Sequence, residues 1–454
     1  MTSAAETIYA PASPPGKGGV AVIRVSGTRA RDSLALLLGD PAFAPQPRRS
    51  YLKKLRDPAS GEIIDHGLVV YFAAPASFTG EDIVEYHIHG GMAIIHQMMA
   101  ALGECDAHRM AMPGEFTRRA FENGKLDLTA AEAIADLIDA ETILQKNQAL
   151  SQLEGNLGAL YEGWAVALTD MLAHIEADIE FPDEDLPAGI LPQLLPGIAG
   201  LAQAISVHLD DNRRGERLRD GLKIAVIGAP NAGKSSLVNA LARRDVAIVS
   251  AAAGTTRDVI DVHLDLAGYP VVISDTAGLR PGQVESGAQG EIEEEGMRRA
   301  LQRAESADIR LLLFDASLLP DRDPQTMALA VDRALLVFNK ADLCDPAVLA
   351  GLPAGAIALS AATGSGMDDL LAALEGRCAA LIGKSEVPSL TRTRHREALQ
   401  DCLAALGRAQ SGHDLPELVA EDIRLAVRAL GRVTGHVHVE DLLDVIFRDF
   451  CIGK

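Results

Sequence analysis

Aromatic side chains are scarce in this chain: they make up 4% of its 454 residues, with a single tryptophan. Its cores must therefore be filled by Leu, Ile, Val and Ala, and the abundance of alanine favours helices. Cysteines are few, odd in number and scattered, at Cys105, Cys344, Cys378, Cys402 and Cys451. No metal-type spacing such as C-x-x-C occurs among them, and a reduced, cytoplasmic compartment fits best. Positive charge is in deficit, with 42 Lys and Arg against 63 Asp and Glu and a net charge of −21. That argues against a broad electrostatic grip on nucleic acid. No apolar run approaches the roughly 18 residues of a membrane span, and the segment from Met1 to Glu6 lacks a signal-peptide pattern.

What is present points to roughly three domains. Residues 1–120 read as mixed α/β, with candidate strands at 18–27, 67–72 and 82–89, helices at 31–38 and 92–102, and tight turns at Pro14-Pro15-Gly16 and Pro113-Gly114-Glu115. Residues 121–217 and 385–454 carry helical periodicity, and Thr129 with Glu132 has capping-box spacing. Residues 218–384 alternate strands and helices, with strands expected at 222–227, 262–266, 270–275, 310–315, 334–338 and 356–359. The fold class expected is thus α/β plus α: a discontinuous helical domain into which a doubly wound α/β domain is inserted. Two separate helical domains are the alternative.

One stretch organises the rest. Gly228-Ala-Pro-Asn-Ala-Gly-Lys234-Ser235 reads G-x-x-x-x-G-K-S, a phosphate-binding loop, between the apolar run Leu222–Ile227 and a helical run from Ser236. Such a loop turns the backbone N–H groups of Asn231, Ala232, Gly233, Lys234, Ser235 and Ser236 toward phosphate oxygens at a helix N-terminus. Lys234 can reach the β- and γ-phosphates, and the Ser235 hydroxyl can ligate Mg²⁺. Further signals follow in workable order. Asp275-Thr276-Ala277-Gly278 ends a strand, where a carboxylate can hold Mg²⁺ through water and the Gly278 N–H can meet a γ-phosphate. Gly254-Thr255-Thr256-Arg257-Asp258 is a loop in which Thr256 can bind Mg²⁺ only when the γ-phosphate is present, a switch. Asn339-Lys340-Ala341-Asp342 follows another strand. An Asp there accepts from guanine N1–H and N2–H₂, which adenine lacks, so the substrate expected is GTP. Ser360 and Ala361 can offer backbone N–H groups to guanine O6. The residue after Gly278 is Leu279, which cannot orient water as the Gln of small signalling GTPases does. The catalytic group must come from elsewhere.

Together these motifs resemble the TrmE–Era–EngA-type GTPases. The similarity to one family, the MnmE (TrmE) tRNA-modification GTPases, runs nearly end to end. It is carried by Pro14-Pro-Gly-Lys-Gly-Gly-Val20, Ser77-Phe-Thr-Gly-Glu-Asp82, His89-Gly-Gly91, Pro113-Gly-Glu-Phe116, Lys125-Leu-Asp-Leu128, Phe181-Pro-Asp-Glu184, the nucleotide motifs and the terminal Phe450-Cys-Ile-Gly-Lys454. The resemblance implies a cytoplasmic homodimer that hydrolyses GTP with Mg²⁺ and K⁺. With the flavoprotein MnmG, it would add an aminomethyl-type group to C5 of the wobble uridine of certain tRNAs. It also implies a one-carbon unit from a tetrahydrofolate derivative, 5-formyl or methylene, bound by an N-terminal folate-binding domain. Residue by residue, it places K⁺ on the Asn231 side chain and the carbonyls of Ser250, Ala252 and Thr255. The catalytic carboxylate maps to Glu293, with Glu291 and Glu294 as rivals because the segment 281–290 is longer than usual. Folate contacts map to Arg24, Glu85, Lys125 and Lys454, although Arg24 and Glu85 could equally form an internal pair. Cys451 becomes a candidate in the modification chemistry. The rival reading from another class is an RNA-binding regulatory GTPase in ribosome assembly.

Overall fold

The computed structural model describes residues 6–180, 190–244, 246–248, 261–274, 305–330, 334–383, 388–411, 415–436, 440–448, 450, 451 and 453. They fall into two compact units, described here one at a time.

The first unit comprises Met1–Ala135, Gln152–Asp170 and Val427–Lys454. Its six-stranded sheet has the order β3-β4-β5-β2-β1-β6, with β1 Thr7–Pro11, β2 Gly18–Ser26, β3 Ser50–Arg56, β4 Ile63–Phe72, β5 Ile83–Gly90 and β6 His108–Met110. All described pairings are antiparallel except β1 with β6. Alternation decides the faces. Val84, Tyr86 and Ile88 of β5 enter a core with Ile23, Val25 and Val69, together with Leu34 and Leu37 of α1 (Asp32–Leu38) and Met98 and Leu102 of α2 (Met92–Gly103). Glu85 and His87 are left on the other face. Gly67 is needed where β4 meets β5, because a Cβ there would sit 2.8 Å from the His87 carbonyl. Strands β1, β3 and β6 were not expected: β3 is a polar edge strand carrying Lys53 and Lys54, and β6 has only three residues.

In the helical part of this unit, α3 (Glu115–Glu122) is followed by α4 (Leu128–Asp139). The cap of α4 is Asp127 rather than Thr129: its carboxylate accepts from Ala130 N at 2.6 Å and from the Thr129 hydroxyl at 2.8 Å. Leu128 and Ala131 pack with Leu443, Phe447 and Phe450 of the chain's end.

The second unit comprises Asp136–Ser151 and Met171–Ala426. Its sheet has the order β12-β11-β10-β7-β9-β8: β7 Leu222–Ile227, β8 Asp261–Leu266, β9 Tyr269–Ser274, β10 Ile309–Asp315, β11 Ala334–Asn339 and β12 Ile357–Ala358. Only β8 runs antiparallel to its neighbour. Because β7, β10 and β11 are covered on both faces, they read as continuous apolar runs. One face is buried by α9 (Lys234–Ala242) and by a helix at Met367–Ile382, whose Leu370, Leu374 and Cys378 join Leu237, Val238 and Leu241 in one cluster; on the other, Ala225, Leu312, Phe314 and Phe338 pack with Met327 and Leu349.

The helical stretches are more broken than periodicity implies. The run expected through Ile179 divides at Gly155 (φ 87°) into α5 (Ile143–Leu153) and α6 (Asn156–Glu180). The run from Leu191 divides at Asn212 and Arg213, both at positive φ, into α7 (Ile190–Leu209) and α8 (Arg214–Asp220). Contrary to the expectation of no membrane-length apolar run, the segment from Ile190 contains an 18-residue window of mean hydropathy 1.5. Its buried residues, Ile198, Leu201, Ala202, Ile205 and His208, nonetheless recur every three or four positions, as on one packed helix face.

Candidate nucleotide site

The phosphate loop leaves the end of β7 and enters α9. Three of its residues explain its shape. A Cβ on Gly228 would lie 2.3 Å from the Leu313 carbonyl of β10, so only glycine lets the chain pass there. Asn231 has φ 64° and an exposed side chain. Gly233, at φ 96°, has no room for a side chain either, because its Cβ would meet Asn339 Nδ2 at 2.1 Å. Ala232 is buried beneath the loop, while Ser235 and Ser236 are exposed in the first turn of α9. The Lys234 ammonium turns back over the loop and donates to Gly228 O at 2.8 Å and Ala229 O at 3.0 Å. These are weak, exchangeable partners for a cation, and a phosphate oxygen is a stronger one.

The segments expected to meet the base lie at the ends of β11 and β12. Asn339 is buried. Its Nδ2 donates to Ala232 O at 2.9 Å and its Oδ1 accepts from Ala361 N at 3.0 Å. One side chain therefore ties the phosphate loop to the segment after β12. Lys340 has φ 64° and pairs with Asp315 at 2.6 Å. Asp342 is exposed, and no described residue forms an ion pair with it. The two amides expected to face guanine O6 are both in use: Ser360 N donates to Ser365 O at 2.9 Å, and Ala361 N to Asn339. Ser360 is wholly buried and serves the turn, accepting from Thr363 N through its hydroxyl, and Ala361 N–H can serve a base only by bifurcating between it and Asn339 Oδ1. The sequence reading missed Asp315. The available signal was an acid at the end of an apolar strand, in register with Asn339.

Ser250, Ala252, Thr255, Thr256, Asp275, Thr276, Ala277, Gly278, Glu293 and Lys454 lie outside the described residues.

In the first unit, Arg24 and Glu85 face each other across β2 and β5 and form a half-buried pair at 3.0 Å. The internal partner for Arg24 is thus present. Its guanidinium also lies over Phe78 and Phe116, 5.4 and 5.7 Å from the ring centroids. His87 Nε2 is buried 3.4 Å from Glu85 and accepts or donates no hydrogen bond among the described residues. Lys125 Nζ donates to Pro75 O at 3.0 Å. Among the described residues, no three His, Cys, Asp or Glu side chains are grouped to hold a metal.

The chain's end is anchored: Gly114 N donates to Cys451 O, and a Cβ on Gly453 would sit 2.0 Å from Pro11 O. Cys451 is the exposed thiol at this anchor. Burial pushes Cys105 up to about 11 and Cys378 and Cys402 up to about 12, which leaves those three inert near neutrality.

Comparison with known proteins covers both units. Residues 7–125 match the family model of the GTP-binding protein TrmE N-terminus, and residues 128–451 that of the MnmE helical domain. A tRNA modification GTPase MnmE of Parvibaculum lavamentivorans is 54% identical over 99% of this chain and 100% of its own length. The human mitochondrial 5-taurinomethyluridine-[tRNA] synthase subunit GTPB3 is 47% identical over 99% of this chain and 93% of its own. Among solved structures, Aquifex aeolicus Era bound to GDP·AlF4⁻ matches 43% of this chain and 69% of its own, at 21% identity and a TM-score of 0.26.

Proposed function

The chain belongs to the MnmE family of tRNA-modification GTPases, and from that premise we propose that it hydrolyses GTP at the Gly228–Ser235 loop to drive modification of the wobble uridine. Working with an MnmG-type flavoprotein, it adds an aminomethyl or carboxymethylaminomethyl group at C5, and a tetrahydrofolate derivative supplies the one-carbon unit. The observation that carries the nucleotide part is the Asn339 side chain, which joins the phosphate loop to the base loop through two hydrogen bonds.

On this reading, the Lys234 ammonium exchanges its two loop carbonyls for β- and γ-phosphate oxygens, where charge develops during transfer. The N-terminus of α9 faces the same oxygens with its first-turn N–H groups. The Asp342 carboxylate accepts from the guanine N1–H and N2–H₂, and against adenine it would stay unpaired. The exposed Ser235 hydroxyl suits an Mg²⁺ ligand and the exposed Asn231 amide suits a K⁺ ligand; bound there, the two cations supply neutralising charge beside the phosphates. Thr256, with Ser250, Ala252 and Thr255, completes these sites in the proposal, Asp275 to Gly278 meet the γ-phosphate, and Glu293 positions the attacking water.

The Arg24–Glu85 pair with its aromatic neighbours, and His87 Nε2 3.4 Å from Glu85, offer charged and polar groups that suit the amide and carboxylate groups of a folate, and Lys125 joins them in the proposal. Lys454 and the exposed Cys451 belong to this proposal. So do the cytoplasmic homodimer and the division into residues 1–120, 121–217 with 385–454, and 218–384.

Two measurements test the reading. GTP turnover should fall sharply when KCl is replaced by NaCl, and equal rates would remove the K⁺ site. Nucleoside analysis of tRNA from cells lacking this protein should show unmodified wobble uridine; an unchanged profile would favour the ribosome-assembly alternative.

A further inference from the structure

Lys340 and Asp342 stand two residues apart in one turn, one cationic and one anionic, yet the ammonium does not go to Asp342. It goes to Asp315 at the end of β10, with Nζ and Oδ2 2.6 Å apart. The Asp315 side chain is 12% exposed. Its other oxygen accepts from Ser317 N at 3.0 Å and from the Ser317 hydroxyl at 2.6 Å, so the carboxylate cannot easily swing away. The turn is held from the other side as well, because Ala341 N donates to Leu359 O at 3.0 Å. Lys340 sits at φ 64°, a backbone state that a side chain does not favour, and that the surrounding contacts must maintain.

We propose that Asp315 is a positioning residue for guanine recognition: by sequestering the Lys340 ammonium, it leaves the Asp342 carboxylate unneutralised for the base. A lysine stem has many rotamers and a reach of four carbons. Released from Asp315, the ammonium would find Asp342 as the nearest exposed carboxylate on its own turn. The base would then have to displace an ion pair in order to bind. Asp315 also fixes the Lys340 side chain in one orientation, so less order has to be imposed on binding. The inference rests on the assignment of Asp342 as the guanine acceptor.

The test uses the full chain and fluorescently labelled GDP. Asp315→Asn keeps the size and an oxygen for Ser317 but no longer holds the ammonium. It should raise the GDP dissociation constant roughly tenfold, as expected for loss of a charge-assisted contact in a partly exposed site, while kcat at saturating GTP stays within about twofold. Lys340→Met keeps the stem and removes the competing charge; adding Asp315→Asn to it should cause no further loss. Equal GDP affinity for Asp315→Asn and the unaltered protein would overturn the proposal, and so would an undiminished tenfold loss in the Lys340→Met background. Should Asp315→Asn unfold, Asp315→Ser retains an acceptor for the turn and is read in the same way. If the unaltered protein itself prefers ADP to GDP, the base assignment fails and this inference falls with it; if it prefers GDP and the cycle is additive, only the role of Asp315 fails.

Discussion

Gly233→Ala is the sharpest perturbation that the nucleotide loop offers. The new methyl group would sit 2.1 Å from Asn339 Nδ2, about 1.5 Å inside contact distance. The neighbour is a buried amide held at both ends, to Ala232 O and Ala361 N, so it cannot step aside without breaking those bonds. Two hydrogen bonds at about 1 kcal/mol each are lost. Holding alanine at φ 96° costs about 1–2 kcal/mol more. Alanine also stiffens the unfolded chain, which returns about 0.5 kcal/mol. The net cost is about 3 kcal/mol, equivalent to roughly a hundredfold in GDP affinity if it falls on the binding-competent loop. The chain is multidomain, so the quantity to read is the urea midpoint of the transition that GDP shifts. Gly376→Ala is the internal contrast. That glycine lies in the helix Met367–Ile382 with nothing within 4 Å of its would-be Cβ, and the change should stabilise by about 0.5–1 kcal/mol. If Gly233→Ala leaves both the midpoint and GDP binding unchanged, the packing of Asn339 against the loop is not what shapes the site.

Three further outcomes are expected. Asp342→Asn should move preference from guanine to xanthine nucleotides, measured by competition binding, and retained GTP selectivity would displace Asp342 as the acceptor. His208 is buried, and burial chiefly, opposed by Asp211 and assisted by Arg214, Arg396 and His395, lowers its pKa to about 4; its neutral form is therefore favoured by folding. The unfolded state binds the proton first, so this stabilisation is complete above the unfolded value near 6.5 and is lost as pH falls toward about 4, by about 3 kcal/mol in all. His208→Leu should flatten that stretch of the midpoint–pH curve, and an unchanged slope would count against it. Asp136 is nearly buried, and its Oδ1 accepts from Arg219 at 2.8 Å and Arg392 at 2.7 Å. Asp136→Ala removes the carboxylate that the two guanidinium groups share, while Arg219 keeps Asp220 at 2.7 Å, and should cost about 1–3 kcal/mol by urea unfolding; a change under about 0.5 kcal/mol would mean water replaces the carboxylate.

What the sequence determined by itself was whatever depends on neighbours along the chain. Strand, glycine, lysine and serine in fixed order specify a phosphate loop, because backbone turning and a helix start are local events. The alternation in β5 and the apolar runs of β7, β10 and β11 were legible for the same reason. Where periodicity failed, the cause was also local but subtler. Gly155, Asn212 and Arg213 take positive φ and break helices whose apolar pattern continues. Asp127 rather than Thr129 caps α4 because the helix starts at Leu128, which puts Asp127 at the position whose side chain reaches the first-turn amides.

Tertiary structure alone decided which groups are paired and which are left open. Asn339 and Ala232 are 107 residues apart, and their contact exists only because β7 and β11 both flank β10. Pairing in the same sheet sets Asp315 beside Asn339 and gives Lys340 a partner other than Asp342. The phosphate loop could be read from eight consecutive residues. Its coupling to a base site, and the freedom of the carboxylate meant to read that base, depend on side chains that only strand order brings within hydrogen-bonding reach.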